Sequence, residues 1–177
     1  MLQETLEGIK IIKREIYRDE RGYFSEFYKN TSFNLNIINK EFKQTNISFS
    51  KKGVIRGLHY QINPYAQDKL ITVISGKILD VSVDLRFNSP TFLDHMIVEL
   101  DADKNNYSIF IPIGFAHGFL ACEDSHIIYQ TTNIYDKISE RSICWNDPSI
   151  NIDWPVINPF LSSKDRFAPR WKTEEIF

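Results

Sequence analysis

The chain has little cysteine and no excess of positive charge among its 177 residues. Its two cysteines, Cys122 and Cys144, are too few for a disulfide framework and lack the paired spacing of metal ligands, so we expect buried thiols. A formal net charge of −2 excludes a broad nucleic-acid-binding face. An anionic ligand must therefore be held by local cations rather than by the overall charge.

Long apolar runs are absent as well. The most apolar window, residues 109–122, is interrupted by Pro112 and two glycines and is too broken to span a bilayer. The opening M-L-Q-E-T-L-E-G has neither a basic start nor an apolar run, which argues against a signal peptide. We expect a cytoplasmic protein without a membrane partner, and residues 1–177 are most simply one domain.

What the sequence does have is a period of two. Aromatic residues make up 14% of the chain, and apolar residues alternate with polar ones along many short segments, as is typical of β-strands. Besides a strand within residues 53–70, we predict strands at residues 9–17, 23–28, 42–49, 69–74, 78–85, 94–100, 107–111, 115–120, 126–132 and 140–145. A turn at 75–76 predicts that the strands on either side of it form a hairpin.

Helix signals are few. Thr31 or Ser32 is expected to cap a short helix that reaches Ile38. Residues 147–177 hold four of the seven prolines, which predicts a tail of loops and short helical turns wrapping the domain. Many short strands with turns about every eight to twelve residues predict an all-β protein, and the natural candidate is a cupin-type double-sheet jelly roll.

One predicted strand, residues 78–85, carries two alternating rows of side chains. The apolar row is formed by Val81, Val83 and Leu85, and the polar row by Asp80, Ser82 and Asp84. A strand with one face in solvent explains the polar row, and so does a barrel with a polar-lined interior.

Polar side chains gather in three segments that we expect to converge on one cavity. The second and third segments are P-I-G-F-A-H-G-F at residues 112–119 and L-S-S-K-D at residues 161–165. The first, residues 53–70, contains Arg56, His59, Gln61, Gln67 and Lys69 among apolar residues.

The spacing Pro112-x-Gly114-x-x-His117 has the form of the second half of a cupin metal-binding motif. The first half normally adds two histidines and a glutamate, but His59-Tyr60-Gln61 supplies one imidazole and no carboxylate soon after it. Because such sites need three protein ligands, we expect no metal. Two histidines in a metal-free cavity favour acid–base chemistry, and a metal-dependent cupin enzyme is kept as an alternative.

Eight motifs follow one another along the chain and carry a family resemblance. They are Asp19-x-Arg21-Gly22-x-Phe24-x-Glu26, Gln44-x-Asn46, Arg56-Gly57-Leu58-His59-Tyr60-Gln61, Ala66-Gln67-x-Lys69-Leu70, Pro112-x-Gly114-Phe115-Ala116-His117-Gly118-Phe119, Tyr129-Gln130-Thr131-Thr132, Trp145-Asn146-Asp147-Pro148 and Leu161-Ser162-x-Lys164-Asp165. Over essentially the whole chain the sequence resembles the dTDP-4-dehydrorhamnose 3,5-epimerase family. The pairing of R-G-L-H-x-Q with P-x-G-F-A-H-G-F is specific.

The resemblance implies a cofactor-free jelly-roll homodimer. Such an enzyme inverts the carbons that flank the 4-keto group of a nucleotide-linked 6-deoxy sugar, in dTDP-rhamnose and polysaccharide biosynthesis. The resemblance also implies catalytic roles: His59 as general base, Asp165 as its carboxylate partner, Lys69 as stabiliser of the enolate oxygen with help from His117, and Tyr129 as the acid on the opposite face.

The resemblance implies a substrate-binding set too. Arg21, Arg56 and Lys164 are expected on the diphosphate, where arginine can bind oxygens in a bidentate manner. The remaining positions are Glu26, Gln44, Asn46 and Glu140, which match contacts to the nucleotide or sugar, and Tyr135, which matches an aromatic that stacks on the base.

The sequence departs from the family pattern in a few places. The segment between His117 and Tyr129 is one residue shorter than usual, and Gln130, Ile134 and Cys144 stand where the family often has Lys, Tyr and Arg. These differences bear on the specificity for base and sugar. A single-carbon epimerase acting on another nucleotide sugar therefore remains an alternative.

Three of the site residues also fit plainer roles. From the sequence alone, Tyr129 fits a core residue, Arg21 a charged hairpin tip and Glu140 a solvated turn. For the protein as a whole, a non-catalytic module that binds sugar nucleotides on the same scaffold is kept as well, although the presence of both an acid and a base argues against it.

Overall fold

The computed structural model describes residues 6–29 and 40–172 of the protein. Within these ranges nearly all of the regular secondary structure is strand, and the all-β double-sheet jelly roll predicted from the sequence is confirmed. The elements are β1 Lys10–Lys13, β2 Tyr17–Asp19, β3 Gly22–Phe24, β4 Gln44–Ser50, β5 Ile55–Gln61, β6 Lys69–Ser75, β7 Lys77–Asp84, β8 His95–Asp101, β9 Tyr107–Ile111, β10 Phe115–Ala121, β11 Ser125–Thr131, β12 Glu140–Ser142 and α1 Ser163–Arg166.

Two five-stranded antiparallel sheets face each other. The first sheet has the order β1-β9-β6-β11-β4 and the second the order β12-β5-β10-β7-β8, while β2 and β3 form a separate hairpin. From β4 to β12 the chain changes sheet at every connection except the one between β7 and β8. These crossings bring residues distant in the sequence onto facing walls.

The hairpin predicted around residues 75–76 is wrong. β6 pairs with β9 and β11, whereas β7 pairs with β10 and β8, so the turn joins two sheets instead of two paired strands. Gly76 adopts φ +77°, and a Cβ there would lie 2.3 Å from the Asp124 carbonyl oxygen. Only glycine fits this tight crossing.

Apolar side chains fill the space between the sheets. Ile71 and Val73 of β6 face Ile78 of β7 and Phe119 of β10 in one buried cluster. Each fully buried aliphatic side chain of this kind contributes roughly 1.5–3 kcal/mol to folding. The inward-facing residues of both sheets therefore hold the two walls together around the cavity described below.

The outer face of the second sheet is covered by the C-terminal tail. Val81 and Val83 of β7 pack in a second buried cluster with Ile150, Ile152 and Trp154 from the tail. The wrapping tail predicted from the proline content is confirmed, and it delivers the one-turn helix α1 to the edge of the cavity.

The polar row of β7 lies inside the barrel. Asp80 and Asp84 are fully buried and Ser82 is 1% exposed, on the strand face opposite Val81 and Val83. The explanation by a polar-lined interior is therefore correct, and the solvent-facing explanation is excluded.

The remaining differences from the sequence prediction are boundaries. The strand predicted at residues 9–17 is two short strands, β1 and β2, because the chain leaves the first sheet to form the β2–β3 hairpin. β3 ends at Phe24 and β12 at Ser142, earlier than predicted. The helix predicted from Thr31 or Ser32 to Ile38 lies outside the described residues. In the described part of the chain, no helix has the length and apolarity needed to cross a membrane.

Candidate active site

A cavity of about 520 Å³ lies between the two sheets. The three polar segments predicted to converge do meet there. Of the thirteen predicted site residues, Arg21 and Glu26 lie elsewhere. The others line the cavity: Gln44, Asn46, Arg56, His59, Lys69, His117, Tyr129, Tyr135, Glu140, Lys164 and Asp165.

A β-bulge in β5 puts Arg56 and His59 on the same wall. The two residues are three positions apart, so a regular strand would direct them to opposite faces. Their partners on β10 are only two positions apart, which leaves one extra residue in β5. Gly57 lies in the bulge at φ +127°, where a Cβ would approach the Gly118 Cα to 2.5 Å. The glycine of R-G-L-H is therefore required for both side chains to reach the cavity.

His59 is paired with a buried carboxylate from the tail. Its Nε2 donates to Asp165 Oδ1 at 2.6 Å. Ser162, the N-cap of α1, accepts from Asp165 N at 3.1 Å and donates from Oγ to Asp165 Oδ2 at 2.8 Å. Because Nε2 carries the proton that meets the carboxylate, Nδ1 of His59 is left as the proton acceptor.

The charges of this pair suit a general base. Burial lowers the pKa of His59, and the positive charges of Lys164 and Lys69 add to this against the opposing effect of Asp165. Burial alone would raise the pKa of Asp165, but the hydrogen bonds from His59 and Ser162 and the charge of His59 bring it below its ordinary value. At neutral pH the imidazole is therefore neutral and the carboxylate ionised.

Lys69 extends into the cavity from β6 of the opposite sheet. Its Nζ donates to the His59 carbonyl oxygen at 3.0 Å, so the ammonium lies beside the base. Burial lowers the pKa of Lys69 to about 8, although the negative charges of Asp80 and Glu140 act to raise it. The group is mostly a cation at neutral pH, and an ammonium with remaining N–H donors can stabilise an oxyanion.

His117 forms a second imidazole–carboxylate pair next to the first. It is the register partner of His59 on β10, and its Nε2 bonds Asp80 Oδ2 at 2.7 Å. The Asp80 side chain is fully buried and that of His117 is 10% exposed. The period of two in β7 placed Asp80 inward, but no signal in the sequence identified His117 as its partner.

Tyr129 stands on the wall opposite His59. It lies on β11 of the first sheet, in register with Ile71 and Asn46, and its ring packs against the inter-sheet core while lining the cavity. Burial raises the pKa of Tyr129, against a smaller opposing effect of the Arg56 charge. The phenol therefore holds its proton at neutral pH.

The mouth of the cavity is bridged by a chain of polar contacts. Tyr135 OH donates to Glu140 Oε2 at 3.1 Å, and Glu140 Oε1 forms an ion pair with Lys164. Burial would raise the pKa of Glu140, but the hydrogen bond and charge of Lys164 outweigh it and lower the pKa. Glu140 is thus part of strand β12 and the cavity lining, not of a solvated turn.

Arg56 and the amides of β4 complete the polar lining. Arg56 Nε donates to Ser50 Oγ at 2.9 Å and Arg56 Nη2 to the Phe49 carbonyl oxygen at 3.0 Å, which holds the guanidinium against the end of β4. Gln44 Nε2 donates to Asn46 Oδ1 at 2.9 Å. Cations and amide groups of this kind suit the phosphates and polar edges of a nucleotide.

Arg21 and Glu26 are not brought to the cavity of their own chain. Arg21 lies in the turn of the β2–β3 hairpin with its side chain 85% exposed, and it pairs with Asp19. Glu26 follows the hairpin and pairs with Lys29 at 3.3 Å.

Sequence reasoning assigned no role to several polar lining residues. Ser48 follows Gln44 and Asn46 on the inward face of β4, so the period of two was a usable signal. Ser162 and Asp165 have the spacing of an N-cap residue and its third helical position, which was also readable. Gln61 and Gln67 belong to the first polar segment, residues 53–70, but nothing in the sequence indicates a function for them.

Residues 6–29 and 40–172 contain no group of three or more His, Cys, Asp or Glu side chains placed to hold a metal ion. The two cavity histidines are instead bonded separately, each to its own carboxylate. The arrangement offers a base, an acid and an ammonium within one cavity, which is the set needed to move protons next to a carbonyl group.

Comparison with known proteins agrees with this geometry. The family model described as dTDP-4-dehydrorhamnose 3,5-epimerase matches residues 3–173. The chain is 46% identical over 167 residues to the dTDP-4-dehydrorhamnose 3,5-epimerase of Shigella flexneri. The aligned region covers 93% of this chain and 92% of the Shigella protein.

Solved structures show the same likeness. The crystal structure of dTDP-4-dehydrorhamnose 3,5-epimerase from Bacillus anthracis str. Ames with TDP and PPi bound has a TM-score of 0.91 and 38% identity, covering 96% of this chain and 98% of that one. The dTDP-6-deoxy-D-glucose-3,5-epimerase of Legionella pneumophila Philadelphia 1, in complex with dTDP-4-keto-L-rhamnose, has a TM-score of 0.86 and 42% identity, covering 92% and 87%. The chain belongs to the dTDP-4-dehydrorhamnose 3,5-epimerase family of isomerases.

Proposed function

We propose that the protein inverts C3 and C5 of dTDP-4-dehydro-6-deoxy-D-glucose and so forms dTDP-4-dehydro-L-rhamnose. The observation that carries the proposal is the placement of His59 and Tyr129 on opposite walls of one cavity, on β5 of the second sheet and β11 of the first. Inversion of a carbon requires a base on one face and an acid on the other. The Lys69 ammonium lies in the same cavity beside the base.

Each inversion then proceeds through an enolate. Nδ1 of His59 accepts the proton from the carbon next to the ketone, and the electrons of the broken C–H bond move onto the C4 oxygen. Lys69, assisted by His117, stabilises that oxygen, an interaction that is worth about 10²–10³ in rate for a single donor in other enzymes. Tyr129 returns a proton to the same carbon from the opposite face. The imidazolium and the phenolate exchange protons with solvent before the second carbon reacts.

The substrate-binding residues divide between the two ends of the nucleotide. We assign Arg56 and Lys164 to the diphosphate, because they are cavity cations that can meet phosphate oxygens. Gln44 and Asn46 present amides, and Tyr135 presents a half-exposed ring on which a base can stack. The TDP and PPi bound to the relative from Bacillus anthracis support a nucleotide diphosphate as ligand. Glu140 holds Lys164 and Tyr135 at the mouth.

We propose that the protein works as a homodimer. The edge strand β4 exposes Ile47 to 65% and Phe49 to 45%, and the β2–β3 hairpin exposes Tyr23 and Phe24 to more than half of their surface. Apolar side chains exposed on an edge strand and a hairpin mark an association surface. Arg21 and Glu26, which do not line their own cavity, would be carried by the hairpin to the cavity of the partner.

We also assign the protein to the cytoplasm and treat residues 1–177 as one domain. Both cysteines are free thiols, which suits a reducing compartment. The family match is continuous over residues 3–173.

The test is exchange with solvent deuterium. Incubation of dTDP-4-dehydro-6-deoxy-D-glucose with the protein in D₂O should introduce deuterium at C3 and C5, and NMR should show the L-rhamno product. Exchange at one carbon alone would make the protein a single-carbon epimerase, and exchange at neither would refute the proposal. Loss of turnover on adding a chelator would favour the metal-dependent cupin enzyme instead.

The same assay separates the acid from the base. His59→Ala should lose exchange and product together, because His59 is the group placed to accept the proton. Tyr129→Phe should keep exchange of substrate hydrogen, since His59 can return a proton on its own face, while inverted product falls by about 10²–10⁴-fold. Circular dichroism verifies folding. A Tyr129→Phe variant as fast as the parent would place the acid elsewhere.

A further inference from the structure

The loop that follows β11 is fastened to the cavity walls by three glutamine side chains. The loop, residues 133–136, carries Tyr135 at the mouth of the cavity. Each of its four residues has a main-chain group hydrogen-bonded to a glutamine: Asn133 O accepts from Gln67 Nε2 at 2.7 Å, Ile134 O from Gln61 Nε2 at 3.1 Å, Tyr135 N donates to Gln44 Oε1 at 2.8 Å, and Asp136 N donates to Gln61 Oε1 at 2.8 Å.

The three glutamines come from different parts of the fold. Gln44 begins β4 in the first sheet, Gln61 ends β5 in the second sheet, and Gln67 lies two residues before β6. All three line the cavity. The loop is therefore attached to both walls at once.

The donors of Gln61 are fully used within the protein. The residue is buried, and its Nε2 also donates to the Tyr65 carbonyl oxygen at 2.6 Å. An amide nitrogen has two N–H groups, and both are directed at main-chain carbonyls. Gln61 thus acts on the protein itself, although it lines the cavity.

Tyr135 needs such support because, among the described residues, one polar contact holds its ring. The residue is 53% exposed, and its OH bond to Glu140 adds to the main-chain bond to Gln44. A ring on an unsupported loop would have to be ordered when the ligand binds, and this ordering reduces affinity. A loop held in place beforehand avoids that loss.

We propose that Gln61 and Gln67 are positioning residues for nucleotide recognition, which set the main chain of residues 133–136 so that the Tyr135 ring meets the nucleobase. The inference rests on the proposed function, in which Tyr135 stacks on the base. Because the glutamines act on binding and not on the proton transfers, their loss raises Kd and KM and leaves kcat nearly unchanged.

Gln67→Met is the informative variant, because it removes one hydrogen bond and keeps the length of the side chain. The Kd for dTDP, measured by calorimetry, should rise about three- to tenfold, the usual effect of one lost hydrogen bond. KM for the dTDP sugar should rise in parallel, with kcat within about twofold of the parent. Gln61→Met should have the larger effect if it folds, and the proposal does not depend on that variant.

A double-mutant cycle distinguishes positioning from direct contact. If Gln67 acts through Tyr135, the Gln67→Met substitution should change Kd by less than about twofold in a Tyr135→Ala background. Thr72→Val is the matched control. It removes the 2.7 Å bond between Thr72 Oγ1 on β6 and Ser108 Oγ on β9, outside the cavity lining, and should lower stability without changing Kd.

Three results would overturn the inference. They are an unchanged Kd in Gln67→Met, an equal loss of affinity with and without the Tyr135 ring, and a fall in kcat with KM unchanged. Failure of the proposed function looks different, because the parent protein itself would then not form the L-rhamno product from dTDP-4-dehydro-6-deoxy-D-glucose.

Discussion

Replacement of Asp165 by asparagine should disable His59 through the proton on its ring. Ser162 Oγ already accepts from Asp165 N, so its own proton is directed at Oδ2. In Asp165→Asn, Ser162 keeps both of these hydrogen bonds when the amide oxygen faces it, and the NH₂ group then faces His59 Nε2. An NH₂ group only donates, so Nε2 becomes the acceptor and the ring proton moves to Nδ1. The nitrogen that should take the substrate proton is then occupied.

The expected size of the fall in kcat follows from the loss of one general base. Such a group is typically worth about 10²–10⁴ in rate, and we expect kcat to fall within that range. KM should change little, because neither the cations nor the amides of the cavity are touched. The substitution preserves the shape of the side chain, so the 2.6 Å approach to His59 can persist in the variant.

Removal of the Ser162 hydroxyl provides the decisive comparison. Without that donor the introduced asparagine amide is free to rotate and to present its oxygen to Nε2, which restores the useful tautomer. The kcat of the double variant Asp165→Asn with Ser162→Ala should therefore be at least about tenfold higher than that of Asp165→Asn alone. Two independent harmful substitutions would instead lower kcat further. Epimerisation is followed by NMR, with folding checked by circular dichroism. A double variant no faster than Asp165→Asn would refute the tautomer argument and assign the loss to the missing negative charge.

Two further predictions concern charge and assembly. The kcat/KM profile should fall at acid pH, where a charged His59 cannot accept a proton, and again above about pH 8, where Lys69 with its pKa of about 8 loses the charge that stabilises the enolate. Residual activity of Lys69→Arg should lack the alkaline fall, since a guanidinium stays charged; an unchanged fall would assign it to another group. Inactive Arg21→Ala and His59→Ala chains, mixed and allowed to exchange, should regain activity if Arg21 serves the partner's cavity, and should stay inactive if it serves its own.

The strands could be predicted because a strand with one buried face shows alternating apolar and polar residues within its own segment. Alternating apolar and polar residues identified β9 with its observed bounds and located β4, β8, β10 and β11 within two residues. The partners with which β6 and β7 pair could not be read from the segments themselves. A glycine turn between two apolar segments looks the same in a hairpin and in a crossing between sheets, and only the distant partners of each strand decide which one forms.

The residues of the site could be predicted from the sequence, but the contacts between their side chains could not. The motifs identified His59, His117 and Asp165. The contact between His117 and Asp80, however, joins residues 37 positions apart and depends on the register of β10 and β7. The bulge at Gly57 is a further example. It places Arg56 and His59 on one wall, although regular alternation would direct them to opposite faces. The bulge requires glycine because the main chain of β10 lies close to Gly57, and this approach cannot be read from a single sequence.

The surroundings of the two histidines decide which one is the base. Both rings bond a buried carboxylate through Nε2, so the chemistry of the pairs is the same. Their access to the cavity differs, because the His59 side chain is 29% exposed and that of His117 is 10% exposed. A base must reach a carbon of the sugar. Because Nε2 of His117 already faces Asp80, His117 donates to an oxyanion only from an Nδ1–H group, in the imidazolium form that the Asp80 carboxylate stabilises. The Lys69 ammonium is bonded to the His59 main chain at 3.0 Å, so in the proposed mechanism it holds the enolate oxygen near the same point. His59 is therefore suited to take the proton, and His117 to support the oxygen that gains the charge.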